Sequence, residues 1–163
     1  NRQLMVTSST QGQVKVEVLR QRLLDISPDA DITVRQELYC PDTADTFPLD
    51  AYDYVLDCLD SIAHKALLIR RATASTATLF SSMGAARKMD PARVRVAEFW
   101  QVEGCPLAAA LRKRFRRAKE FPAKKFRCVY SDELLPAQGA LVHLTATFGF
   151  TLAGLVLQNI IKS

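Results

Sequence analysis

At 163 residues, with 48% hydrophobic and 24% charged side chains, the sequence has the size and composition of a single globular domain with room for a real core. Six Gly and seven Pro are ordinary counts, which excludes fibrous, low-complexity and disordered classes. The net charge of +5 is uneven: residues 111–127 hold nine basic residues and one acid (+8), whereas the remainder holds thirteen basic and sixteen acidic residues (−3). A slightly acidic body carrying one basic strip points to a polyanionic partner.

In chain order, residues 13–26 predict an amphipathic helix, with Val16, Leu19, Leu23 and Ile26 at helical spacing and Ser27-Pro28 as its stop. Residues 31–37 (DITVRQE) alternate and predict a strand. A Pro- and Asp-rich loop over 40–50 leads to 54–58 (YVLDC), a short apolar run of the kind found in buried parallel strands. Ser61 is placed to cap a helix running to about Ala72. Residues 76–80 (TATLF) predict a strand, 81–91 a loop of small residues, and 93–99 a strand with one exposed face. A helix over 106–119 starts with Pro at its first position. A strand over 126–130, a linker over 134–139 and an uncharged helix over 139–162 complete the chain. Strands alternating with helices predict an α/β fold, Rossmann-like, with a mostly parallel sheet and flanking helices in one domain.

Residues 137–161 contain no Asp, Glu, Lys or Arg, but Gln138, His143, Gln158 and Asn159 interrupt them and their densest apolar part, 148–157, is short. The expectation is a fully buried core helix and no membrane span. Asn1-Arg2-Gln3 has no apolar segment behind it, so a signal peptide is not expected, and the start without Met implies a chain that begins inside a domain. Cys40, Cys58, Cys105 and Cys128 show no C-x-x-C spacing, which argues against a zinc site and for reduced thiols in the cytoplasm.

Three motifs stand in order: Asn1-Arg2-Gln3, then Gly12-Gln13-Val14-Lys15 at a helix start, then Asp57-Cys58-Leu59-Asp60-Ser61 at the end of a strand. Further on come 82–91 (SMGAARKMDP), 105–112 (CPLAAALR) and 128–133 (CVYSDE). Together they resemble the ThiF/MoeB/HesA family of ubiquitin-activating-enzyme relatives, and the later three resemble its tRNA-modifying branch. The resemblance runs over essentially the whole chain. Two departures stand out. The family's N-terminal strand, Gly-rich phosphate loop and acidic ribose-binding residue are not in this sequence, and Ser61 stands where many relatives have Asn.

What the resemblance implies is ATP-dependent adenylation of a carboxylate, most specifically the dehydration and cyclisation of threonylcarbamoyladenosine in tRNA. It assigns Arg2 and Lys15 to the ATP phosphates and Gln3 to the nucleotide site, with Lys15 on the first turn of a helix, where anions are favoured. It places Asp60 with Mg²⁺, a hard cation that takes oxygen ligands, and Ser61 beside it in the nucleotide site. Strand carboxyl ends are where ligands gather in open α/β sheets. Asp57 competes for the same role, and Lys65 is a weaker candidate for the phosphates. Arg2, Lys15 and Asp60 are the expected catalytic residues. Family members are usually homodimers, and a sulfur-relay protein is a further possible partner.

Other readings remain open. Arg112, Lys113, Arg116, Arg117, Lys124 and Lys125, interleaved with Phe115, Phe121 and Phe126, read as a nucleic-acid strip or as a solvated helix face. Cys105 and Cys128 could act as nucleophiles, although the cyclisation needs no thiol, and His143 reads as a core histidine. Alternatives to tRNA chemistry are activation of a ubiquitin-like sulfur carrier, a non-catalytic binding fragment, or half of a dinucleotide-dependent dehydrogenase.

Overall fold

The computed structural model describes residues 6–136 and 139–162. The chain divides into two compact units, Asn1–Leu38 and Tyr39–Ser163. In the first, a helix over Lys15–Ile26 (α1) ends on Ser27, whose N–H donates to the Leu23 carbonyl. No residue of α1 is buried. Residues 31–37 form no strand, contrary to the alternation of their sequence. A strand needs a neighbour to take its backbone hydrogen bonds, and the described residues of this unit contain none. Arg20 instead reaches the Ile32 carbonyl with its Nε, and Arg35 pairs with Glu37.

The second unit is a four-stranded sheet between two helical layers. Strands Tyr54–Asp57 (β1), Thr78–Ser82 (β2), Val94–Glu98 (β3) and Arg127–Ser131 (β4) are ordered β1-β2-β4-β3. The pairs β1–β2 and β2–β4 are parallel and β3–β4 is antiparallel, so the sheet is mostly parallel as the alternation of elements predicts. Helices Ile62–Ala74 (α2) and Pro106–Ala118 (α3) share one hydrophobic cluster with Leu79, Cys128 and Tyr130. A long helix, Val142–Lys162 (α4), packs with Phe80 and Val129 in another. Leu79 against Phe80, and Cys128 against Val129, show the period of two that sends alternate side chains to opposite faces.

Several boundaries move for local reasons. β2 starts at Thr78 because the Thr76 N–H is taken by the Asp50 carboxylate. β3 starts after a 3-10 turn over Pro91–Arg93, capped by the Asp90 side chain. α3 ends on Lys119 in the left-handed conformation, φ 56°. Ser61 does stand at the N-cap of α2, but its hydroxyl makes no capping bond. β1 is less buried than expected: it is an edge strand of this sheet, and Leu56 is exposed.

The largest correction concerns α4. It is not a fully buried helix. Leu144, Phe148, Leu152 and Leu155 make its one buried stripe, while Phe150, Leu157, Ile160 and Ile161 face outward. Absence of charge does not make a segment enclosed, and only one face of α4 has a sheet to lie on. Its length and hydropathy would let it cross a bilayer, but a helix packed against a sheet can have the same length and composition.

Candidate functional site

The carboxyl ends of β1, β2 and β4 lie side by side, and the turn after β1 carries the acidic motif. Its two aspartates have opposite fates. Asp57, the last residue of β1, is wholly buried. Its carboxylate accepts from the Ser81 hydroxyl at 2.6 Å and the Leu59 N–H at 3.1 Å, and it faces Lys65 Nζ at 2.8 Å. Asp60, three residues on, is exposed, and among the described residues its carboxylate has no hydrogen-bond or ion-pair partner. Asp57 is therefore a structural acid and Asp60 the available oxygen donor.

Lys65 is not available to phosphates. Its ammonium donates to the Leu59 carbonyl at 3.0 Å and the Ser82 carbonyl at 2.7 Å in addition to Asp57, which uses all three of its N–H groups. It is wholly buried within the floor of the site. This corrects the sequence-based candidacy of Lys65. The signal that could have revealed it is its place one turn into a helix start that is apolar apart from His64, Ile62 to Leu68, following a strand-terminal acid.

The loops after β2 and β4 are fastened to each other. Lys88 is buried and donates from Nζ to the Ser131 carbonyl at 2.8 Å and to the Glu133 carbonyl. The Glu133 carboxylate accepts from the Met89 and Asp90 N–H groups at 2.6 and 3.0 Å. Those N–H bonds hold the Glu133 carboxyl below its ordinary pKa, and burial lowers that of the Lys88 ammonium. Arg87, at φ 62°, donates from Nε to the Leu135 carbonyl at 2.7 Å. His143 is not a core histidine: it is exposed, and its Nε2 lies 2.8 Å from the Met89 carbonyl.

The thiols offer little nucleophilic chemistry at this site. Cys105 and Cys128 are buried, and burial pushes the Cys128 thiol far up. Burial and the neighbouring Asp57 raise that of Cys58.

The basic residues do not act as one uniform strip. Arg112 is half-buried, donates to the Phe99 and Val102 carbonyls, and lies 5.8 Å from the Phe99 ring centre. Lys124 donates to the Ser75 carbonyl. Lys113, Arg114 and Arg117 line an open groove with Ile62, Ala110 and Ala118. Lys125 and Arg127 lie in a separate cavity at the amino ends of β2 and β4. Glu120, the one acid of the strip, is ion-paired to Arg70 on α2.

Of the remaining site residues, Lys15 is exposed at the first position of α1 in the first unit, and Ser61 is half-buried beside Asp60. Arg2 and Gln3 lie outside the described residues. No cluster of three or more metal-ligating side chains occurs among the described residues. A single free carboxylate nevertheless suits Mg²⁺, which is commonly held by one or two carboxylates together with substrate phosphates.

The mostly parallel sheet with flanking helices is an α/β fold, and the whole of 1–163 matches the model of the ThiF family. The chain belongs to that family. It is 35% identical over 133 residues to the tRNA threonylcarbamoyladenosine dehydratase of Bacillus subtilis, covering 82% of this chain and 52% of the relative. The enzyme of the same name from Haemophilus influenzae is 28% identical over 99% of this chain and 71% of its own. Superposition on the Escherichia coli tRNA N6-threonylcarbamoyladenosine dehydratase TcdA, crystallised in complex with ATP, gives a TM-score of 0.90 at 31% identity, covering 99% of this chain and 70% of that one. The chain thus spans about half the length of the Bacillus relative.

Proposed function

We propose that this chain is the substrate-facing part of an ATP-dependent adenylating enzyme that dehydrates threonylcarbamoyladenosine in tRNA. The observation that carries the reading is its superposition, over nearly its full length, on the ATP-bound E. coli dehydratase. In this reading the two units belong to one adenylating domain. The substrate carboxylate attacks the α-phosphorus of ATP and pyrophosphate leaves. A nitrogen of the same substrate then attacks the acyl carbon and loses its proton, AMP departs with the carboxylate oxygen, and a ring remains. Water is in effect removed, its oxygen leaving in AMP.

Asp60 and Ser61 stand at the strand ends, where Asp60 would hold Mg²⁺ and the ion would draw charge from the phosphoryl oxygens. Arg2 and Lys15 are assigned to the phosphates and Gln3 to the nucleotide site. Lys113, Arg114, Arg116 and Arg117 on the exposed side of α3 would hold the tRNA backbone. Arg112 and Lys124 would shape that surface more than contact phosphate, because their donors already serve backbone carbonyls. Phe150, Leu157, Ile160 and Ile161 on α4 suit a homodimer contact. A sulfur-relay protein is a further candidate partner, and a cytoplasmic site of action accords with tRNA as the substrate.

The test is AMP release from ATP, with threonylcarbamoyl-modified tRNA, unmodified tRNA and a ubiquitin-like sulfur carrier offered in parallel. AMP formed only with the modified tRNA supports the reading. AMP formed with the carrier alone moves the protein to sulfur-carrier activation, and no AMP with any substrate makes it a binding module.

A further inference from the structure

Trp100 lies in a 3-10 turn between β3 and α3, and it is 37% exposed despite its size. Arg116, from the last turn of α3, lies 5.7 Å from its ring centre. Phe121, just past the end of α3, lies 6.2 Å away and is 53% exposed. Two large aromatic rings and a guanidinium therefore share one patch of surface, with Arg117 and Lys119 also exposed at the same end of α3.

The patch stands on a rigid base. Phe99 is wholly buried and meets the Trp100 ring edge-on at 5.2 Å. It stacks on Phe126 at 4.9 Å and packs against Phe115 at 5.9 Å. The Trp100 backbone N–H donates to the Glu98 carboxylate at 3.0 Å, which fixes the turn that carries the ring. Glu120, which precedes Phe121, is paired with Arg70, so its charge is already met within the fold. Core packing accounts for Phe99, Phe115 and Phe126, but not for the exposed rings of Trp100 and Phe121.

We propose that Trp100 and Phe121, with Arg116, form a stacking platform for an unpaired RNA base, beside the phosphate-binding face of α3. Exposed aromatic rings set among cations match single-stranded nucleic acid, whose bases stack while its phosphates meet the basic groups. A duplex keeps its bases stacked inside and offers only phosphates. This deepens the tRNA reading by assigning the basic end of α3 to a single-stranded part of the RNA, and it rests on that reading.

Trp100 is the sole tryptophan of the 163-residue chain, so its fluorescence reports on this patch directly. The experiment titrates the protein with a short single-stranded oligoribonucleotide, with the same sequence as a duplex, and with inorganic polyphosphate. Stacking predicts strong quenching by the single strand, weaker quenching by the duplex and none by polyphosphate. Trp100→Ala and, separately, Phe121→Ala should each weaken single-strand binding by about fivefold or more. Both should leave polyphosphate affinity unchanged, and Trp100→Phe should retain most of the single-strand affinity. Because Phe121 is largely exposed, its variant tests the platform without disturbing the core. Failure of the single strand to bind, single-strand binding without quenching, equal quenching by polyphosphate, or unchanged affinity in both alanine variants would overturn the proposal. If the patch instead serves a protein partner, the oligonucleotide leaves the fluorescence unchanged. AMP release with modified tRNA while Trp100 stays silent would remove the platform and keep the enzymatic reading. Quenching without AMP from any substrate would do the reverse.

Discussion

Lys65 Nζ lies 2.8 Å from Asp57 Oδ2, and neither side chain has access to solvent. A buried ion pair contributes little net stability when intact, because desolvation offsets the attraction, but removal of one partner strands a charge. Asp57→Asn or Lys65→Met should each cost about 3–5 kcal/mol of unfolding free energy. The double change Asp57→Asn with Lys65→Met should cost less than the sum of the single changes. Urea unfolding of the four proteins measures this coupling, and additive losses would show that the pair does not act as a unit.

The thiols should react in a definite order. Cys40 is half-exposed, and its pKa is lowered by the Thr43 hydroxyl and then by the Asp42 N–H. Cys58 is exposed, but its thiol is raised by burial of the sulfur and by Asp57. A chromogenic disulfide reagent at pH 7.5 should modify Cys40 first and Cys58 more slowly. Cys105 and Cys128 should react only after denaturation. Mass spectrometry of the labelled peptides gives the order.

Acid should loosen the clasp between the loops after β2 and β4. The folded-state pKa of Glu133 lies below its ordinary 4.5, through the N–H bonds from Met89 and then Asp90. A carboxylate of this kind stabilises the fold above its unfolded pKa, and the contribution is lost as pH falls through the lower folded value. Melting temperature should therefore fall below about pH 4.5. Glu133→Gln should be less stable at pH 7 and show a shallower loss in acid, measured by thermal melts between pH 3 and 7.

Neutral substitutions on α3 should separate binding from structure. Arg116→Ala with Arg117→Ala should weaken tRNA binding and reduce the slope of log affinity against log salt by about 2, one per lost phosphate contact. Unfolding stability should change little, since both side chains are exposed. Arg112→Ala should instead lower stability, by about 1–3 kcal/mol, because it leaves the Phe99 and Val102 carbonyls without their donor. Salt titrations and urea melts on the same samples distinguish the two effects.

Much of this was legible in the residues. The spacing of Val16, Leu19 and Leu23 announces α1, and the run 54–58 announces β1. Pro106 marks the start of α3. The acidic motif lies where the sequence puts it, at the end of β1, and the structure separates its two aspartates by burial, leaving Asp57 to the fold and Asp60 exposed. What stayed hidden depended on partners distant in sequence. The pattern of 31–37 could not say that no strand would lie beside it, and the uncharged run of α4 could not say that only one of its faces would be covered. Lys65 and Arg112 looked like free cations because their acceptors, at Ser82 and at Phe99 and Val102, come from other elements. Phe121 stands out in the sequence as part of the basic run, but Trp100 does not, and only the fold brings Arg116 over Trp100 and places Phe121 alongside.

The bonds of Arg87, Lys88 and Glu133 have a consequence for ligand entry. Two loops that could fluctuate separately are joined through backbone carbonyls and N–H groups, so they open only together. Immobilising a loop when a ligand arrives costs conformational entropy, and that ordering has already taken place here during folding. If the proposed substrate settles over the ends of β2 and β4, it would meet a preorganised rim, and more of its interaction energy would be left for holding the reacting atoms in line.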